Sequence, residues 1–131
     1  MKHIAISENH LYSKAYTKGE KLVGRGVIVY VLKDLKSKKL QKAHPMGLMV
    51  NRIGLTVSKK IGKAHIRNRV KRILREGLRQ IEKSYDMEKG YLIVLVARPL
   101  AIDLKSGDIA KDLERAFKRL NLIKSPLICQ D

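Results

Sequence analysis

The residues best suited to chemistry lie in one run, from Lys59 and Lys60 through Lys63, His65, Arg67, Asn68 and Arg69 to Lys71 and Arg72. Between Arg52 and Arg79 there are ten Lys or Arg and a single acid, Glu76. Guanidinium forks and ammonium groups suit phosphate oxygens, and Asn68 offers both a donor and an acceptor. Clustered on one face, such groups draw in a polyanion and release its counterions, which gives affinity without sequence preference.

Catalytic chemistry is harder to find. The twelve carboxylates are scattered, and no two stand in a motif that would hold Mg²⁺ against a phosphate. Asp108 and Asp112 are one helical turn apart, but beside Lys111 and Arg115 they read as a solvated charged face. His3, His10, His44 and His65 lack metal-ligand spacing with one another or with Cys129. His65 sits among cations that disfavour its protonation, and reads as a surface or helix-entry residue. Gly62 stands alone and Gly24-Arg25-Gly26 lacks the rest of any phosphate-loop fingerprint. No metal or cofactor is expected on the protein itself. Tyr12, Tyr16 and Tyr30 are a second resource, since their ring faces can stack unpaired bases or simply fill a core.

The whole chain fits this picture. At 131 residues it is expected to form one domain, spanning 1–131, with a core over about 7–120 and a tail over 121–131. An apolar fraction of 44% is ordinary, but a net charge of +17 is not, and it points to nucleic acid ahead of an anionic membrane. Cys129 alone cannot form an internal disulfide. Tyr91 to Ala97, the longest apolar stretch, is too short to span a bilayer. A cytoplasmic protein is expected, with no membrane association.

These side chains need elements to position them. Ser7 reads as an N-cap, with Ile6 and Leu11 as a hydrophobic staple and Gly19 as the stop of a short helix. Leu22 to Leu32 reads as a strand apolar on both faces, Lys33 to Pro45 as a lysine-rich loop, and Met46 to Ser58 as extended. Ile66, Val70, Ile73, Leu74, Gly77, Leu78 and Ile81 make a core stripe at helical spacing. That stripe forces Asn68, Lys71, Arg72, Arg75 and Arg79 onto the outer arc. Tyr91 to Ala97 is a buried strand. Ser106 is expected to cap a last helix that turns Ile109, Leu113, Ala116, Phe117 and Leu120 inward. This order of elements predicts an α+β sandwich.

The stretch from Arg52 to Glu76 closely resembles the signature of the protein subunit of bacterial ribonuclease P. The matching features are a strand ending in Val57-Ser58-Lys59-Lys60, a turn at Gly62, and Arg67-Asn68-Arg69 with Lys71, Arg72 and Arg75 opening a helix. Tyr12 and Tyr16 match paired aromatics, usually phenylalanine in relatives, and Tyr91 to Pro99 matches an apolar strand ending in Ala-Arg-Pro. The connection from Lys33 to Val50 is longer than usual. The resemblance implies a single-domain α/β sandwich, with a mixed four-stranded sheet and a left-handed βαβ crossover around the Arg-Asn-Arg helix, as in ribosomal-protein domain-2-like folds. It also implies an endoribonuclease component that binds a catalytic RNA and the 5′ leader of precursor tRNA, with no obligate protein partner. The RNA would carry the Mg²⁺ and hydrolyse the phosphodiester to leave a 5′-phosphate.

Carried over by residue, Arg67, Asn68, Arg69, Lys71, Arg72 and Arg75 should meet the catalytic RNA. Tyr12, Tyr16, Tyr30, Ser58, Lys59 and Lys60 should hold the single-stranded leader. A ribosomal RNA-binding protein is the competing reading. A helix-turn-helix DNA binder is a weaker one, because strands precede the basic helix.

Overall fold

The structure, a computed structural model, describes residues 3–6 and 8–123. Five strands form one sheet: β1 (His3–Ala5), β2 (Glu20–Val23), β3 (Val27–Lys33), β4 (Asn51–Thr56) and β5 (Tyr91–Ala97). Their order across the sheet is β1-β4-β5-β3-β2. β1 and β5 run parallel to β4, while β3 is antiparallel to both β5 and β2. Four helices accompany the sheet: α1 (Asn9–Lys18), α2 (Ser37–Ala43), α3 (Ala64–Ser84) and α4 (Ser106–Arg119). Short 3₁₀ turns at Lys59–Ile61 and Pro99–Asp103 precede α3 and α4.

The α+β architecture agrees with the sequence reading, but the sheet has five strands, not four. The stretch from Leu22 to Leu32 is not one strand. It folds at Gly24-Arg25-Gly26 into the β2–β3 hairpin. That turn is held from outside: Asp112 accepts the Gly26 N–H at 2.7 Å, and Arg98 Nη1 donates to the Gly24 carbonyl at 2.7 Å. Asp112 is therefore a buried anchor, not part of a solvated face. The extra edge strand, β1, has only three residues and is too short to leave a period in the sequence.

The strongly apolar strands feed two cores. Val27, Val29, Val31, Ile53, Ile93 and Leu95 point towards α3 and α4. On the other face Leu92 and Val94 pack with Leu11 and Ala15 of α1, with Tyr12, Tyr30 and Leu32 at the margin. α3 buries Val70, Leu74, Gly77, Leu78 and Ile81, the centre of the expected stripe, and leaves Ile66 and Ile73 half-buried. Gly77 sits mid-helix because α4 comes close there, and a β-carbon would lie 2.7 Å from Ile109 Cγ2.

Several boundaries differ from expectation. Glu8 occupies the N-cap position of α1, whereas Ser7 lies outside the described residues. Lys105, not Ser106, is the N-cap of α4; its N–H is accepted by Asp108 at 2.9 Å, while Ser106 Oγ accepts from Gln80 at 3.4 Å. The lysine-rich connection contains the two-turn helix α2, which buries no residue and so leaves no apolar stripe to read. Leu122 and Ile123, which the sequence reading placed in the tail, are buried against the main core. Residues 124–131, with Cys129, lie outside the described residues. No described helix is long and apolar enough to cross a membrane.

Candidate nucleic-acid interface

The face of the sheet that carries α1 gathers the tyrosines. The register aligns Gly54 of β4, Val94 of β5 and Tyr30 of β3 in one row, with Lys21 of β2 beyond them. Above that row α1 lays down Tyr12 and Tyr16, one turn apart. Tyr12 sits over Gly54, where a β-carbon would intrude on its hydroxyl and ring. Tyr16 meets Tyr30 edge to face, with ring centroids 4.9 Å apart, and its hydroxyl lies 3.3 Å from Thr56 Oγ1. Lys21 Nζ stands 6.0 Å from the centre of the Tyr30 ring. Tyr16 is 41% exposed, so this cluster is not closed core; Tyr12 and Tyr30 are half-buried. Burial raises the Tyr12 phenol pKa, and the neighbouring Tyr16 adds to the shift, so the Tyr12 hydroxyl stays neutral at physiological pH.

Ser58, Lys59 and Lys60 follow Thr56 by two to four residues and are exposed. The 3₁₀ turn that carries the lysines is pinned by buried Ile61, whose N–H bonds the Ser58 carbonyl at 3.0 Å. The chain then turns into α3. One end of β4 thus links the tyrosine face to the cationic helix.

On α3, Asn68, Arg69, Arg72, Arg75 and Arg79 are exposed and Lys71 is half-buried. Arg69 donates a hydrogen bond to the Ile102 carbonyl, which fixes its arm along the turn before α4. Arg67 is half-buried, and its Nε is buried with no hydrogen-bond partner. Neither Arg67 nor Arg69 has a carboxylate partner among the ion pairs of the described residues. Two grooves flank the helix. One, about 740 Å³, lies between Arg69, Arg72 and the start of α4 at Lys105. The other, about 620 Å³, lies between Lys71, Leu55 of β4 and Tyr12 of α1. Arg75 and Arg79 line both, so they form the crest between them.

Arg52 is the exception among the ten cations. It is 7% exposed and forks onto Asp34, with Nε at 2.7 Å from Oδ2 and Nη2 at 2.8 Å from Oδ1. Glu8 adds a contact at 3.4 Å to Nη1. Burial alone would raise the Asp34 pKa, but the Arg52 hydrogen bonds, the Lys36 amide and nearby positive charge outweigh it and hold the carboxyl below its ordinary value. The Arg52 pKa is raised, first by that hydrogen bond. This is a structural ion pair; of the other nine cations Arg79 pairs with Glu76 at 3.0 Å, and the remaining eight have no carboxylate among the ion pairs of the described residues. Sequence reasoning missed it because Asp34 stands alone on the far side of the lysine-rich connection. It also missed Gly54 and Thr56 beneath the tyrosines, although a glycine interrupting a strand was a usable signal.

Other carboxylates are similarly engaged. Glu114 accepts from Tyr85 at 2.6 Å and from Lys118 at 3.1 Å. The Tyr85 hydrogen bond, then that of Lys118, lowers the Glu114 pKa, and the same bond raises that of Tyr85. Among the described residues no three His, Cys, Asp or Glu side chains come together to hold a metal.

An open tyrosine face joined to an arginine-rich helix is the equipment of a nucleic-acid-binding α+β protein. Comparison with known proteins places it further. The family model "Ribonuclease P" matches residues 1–121, and the chain belongs to that family. It is 33% identical to the ribonuclease P protein component of Alkaliphilus oremlandii over 120 residues, 92% of this chain and 93% of that protein. With the counterpart from Clostridium acetobutylicum it shares 32% identity over 123 residues, 94% of this chain and 93% of that one. Its fold is similar to the solved Staphylococcus aureus RNase P protein, with a TM-score of 0.70 and 26% identity over 94% of this chain and all of the other.

Proposed function

We propose that this chain acts as the electrostatic and stacking partner of ribonuclease P RNA in maturing the 5′ end of tRNA. In this reading α3 presents Arg67, Asn68, Arg69, Lys71, Arg72 and Arg75 to the catalytic RNA. The face built by Tyr12, Tyr16 and Tyr30, continued by Ser58, Lys59 and Lys60, takes the single-stranded leader of precursor tRNA. One observation carries it: the three tyrosines share one open sheet face, and the strand beneath them leads straight into the arginine helix. Ring faces accept any base, while cations set the register of the phosphates.

In this reading the RNA would carry the Mg²⁺ and supply the hydrolytic chemistry, and the protein supplies no group to the reacting atoms. Support comes from the engagement of its buried acids: Asp34 binds Arg52, and Asp112 binds the Gly26 amide. The protein helps by neutralising charge where two polyanions approach and by adding binding energy to the leader. Both roles require only RNA as partner.

The test is cleavage of a precursor tRNA by the protein reconstituted with its cognate RNA. At low salt and low Mg²⁺ the protein should accelerate cleavage, and its benefit should shrink as salt rises. Absence of any stimulation under those conditions would overturn the reading.

A further inference from the structure

α2 stands at the end of the sheet opposite to Ser58, Lys59 and Lys60. The Gly90 backbone ties together the two legs of its connection, donating to the Val50 carbonyl at 3.3 Å and accepting the Asp34 N–H at 2.9 Å. These contacts put α2 where β4 and β5 begin, whereas the lysines of the 3₁₀ turn follow the other end of β4. β4 has six residues, so about 20 Å separates the two poles at roughly 3.3 Å per residue.

α2 turns Ser37, Leu40 and Gln41 half inward and leaves Lys38, Lys39 and Lys42 exposed. Lys33 and Lys36 are exposed beside it, and Lys36 comes within 4.0 Å of Glu8. The other four lysines have no carboxylate among the ion pairs of the described residues. Asp34, the single acid from Lys33 to Val50, is taken by Arg52. Large apolar side chains stand among these charges: Leu35 is 79% exposed, Met46 78% and Leu48 53%. They are three of the seven exposed large hydrophobics among the described residues, within fourteen consecutive positions. Single exposed apolar residues are ordinary, but such crowding marks a contact surface. The backbone beside them is fixed: Asp34 accepts the Lys36 N–H at 3.0 Å, His44 Nδ1 accepts the Met46 N–H at 3.1 Å, and Gly47 turns at a φ of 68°.

Composition selects the partner. From Lys33 to Val50 there is no arginine to fork onto phosphate and no Phe, Trp or Tyr to stack a base. Nucleic acid would leave Leu35, Met46 and Leu48 uncovered. Lipid would find no apolar helix face to insert, since Leu40 turns inward and the lysines outward. An acidic protein segment with apolar side chains satisfies both features, its carboxylates on the lysines and its apolar groups against the leucines and the pliable Met46.

We infer that the α2 surface docks an acidic, leucine-bearing segment of a partner protein. Screening over about 8 Å keeps this pole electrically separate from phosphates held at Ser58, Lys59 and Lys60, so one molecule engages both partners.

The probe is a short capped peptide alternating glutamate with leucine. It is titrated into the full chain, alone and bound to its cognate RNA, and followed by fluorescence anisotropy. Saturable binding is expected in both states, at least about tenfold weaker when serine replaces leucine in the probe. Leu35→Ser with Met46→Ser should weaken it about tenfold or more, as should Lys38→Gln with Lys39→Gln and Lys42→Gln. Both variants should cleave precursor tRNA like the unaltered protein, which also shows that they fold.

No saturable binding at millimolar peptide overturns the proposal, as does equal binding of the serine probe or unaltered affinity in both variants. Loss of cleavage by a folded lysine variant would make the surface part of the RNA machinery instead. Oligouridylate and phosphatidylglycerol vesicles are the remaining arms. If either binds the RNA-bound chain through α2, weakening in the two variants where the peptide shows no binding, the surface belongs to RNA or lipid. The function proposed above is judged separately, by cleavage stimulation with the unaltered protein.

Discussion

The ring of Tyr12 occupies the space over Gly54 that any larger residue at that position would need. The contact sets the height of α1 above the sheet and, through it, the meeting of Tyr16 with Tyr30. Gly54→Ala should therefore push Tyr12 outwards. The expected cost is about 1–3 kcal/mol, the range for overpacking. Chemical denaturation measures it, and affinity for leader-bearing precursor tRNA should fall in the same variant.

Removing the rings tests the face directly. Tyr12→Ala with Tyr16→Ala should weaken precursor tRNA more than mature tRNA, with about 1–3 kcal/mol lost for each base that had been stacked. Equal losses for both RNAs, measured by filter binding at one salt concentration, would remove the leader from this face.

The arginine helix makes a different prediction, about salt. Arg67→Ala with Arg69→Ala should lower affinity for the catalytic RNA and flatten its salt dependence. The slope of log K against log salt should drop by about 0.7 to 0.9 for each phosphate contact removed. A weaker complex with an unchanged slope would mean that these arginines act by holding the fold.

Asp34 and Arg52 should behave as a buried pair. Asp34→Ala leaves the Arg52 charge without its fork and should cost about 3–5 kcal/mol, while Asp34→Leu with Arg52→Met should recover most of that. The folded pKa of Asp34 lies below the unfolded one. The stabilisation is thus complete above the unfolded value and disappears as pH falls through the folded value. Acid titration of the double variant should lack that part of the loss.

Asp112→Ala should strip the buried Gly26 N–H of its acceptor and loosen the β2–β3 turn. A loss of about 1–3 kcal/mol is expected, with Asp112→Asn milder. Hydrogen exchange at Gly26 should rise in step.

What was legible in the sequence was local. The spacing of Val70, Leu74, Leu78 and Ile81 fixes which side of α3 faces inward, and the outer arc of arginines follows from it. The apolar alternation from Val27 to Leu32 correctly implied a strand covered on both faces. Long-range pairings were not legible. Arg52 looked like one more surface cation because nothing in its neighbourhood names Asp34, and Asp112 looked solvated because Gly26 lies 86 positions away. Tyr12, Tyr16 and Tyr30 stood out as possible stacking faces by residue type alone, but their meeting on one face depends on a strand register that periodicity does not supply. Helix α2 escaped notice because none of its residues is buried.

The strand order has a consequence for biosynthesis. β5, which joins the hairpin β2–β3 to the pair β1–β4, is the last strand to leave the ribosome. Until Ala97 emerges, no strand pairing joins the two halves, and valine-rich surfaces wait uncovered. Folding is then a late event dominated by distant pairings, which are slow to form. Nascent chains stalled short of residue 97 should therefore remain protease-sensitive throughout, and those released beyond α4 should become resistant in one step.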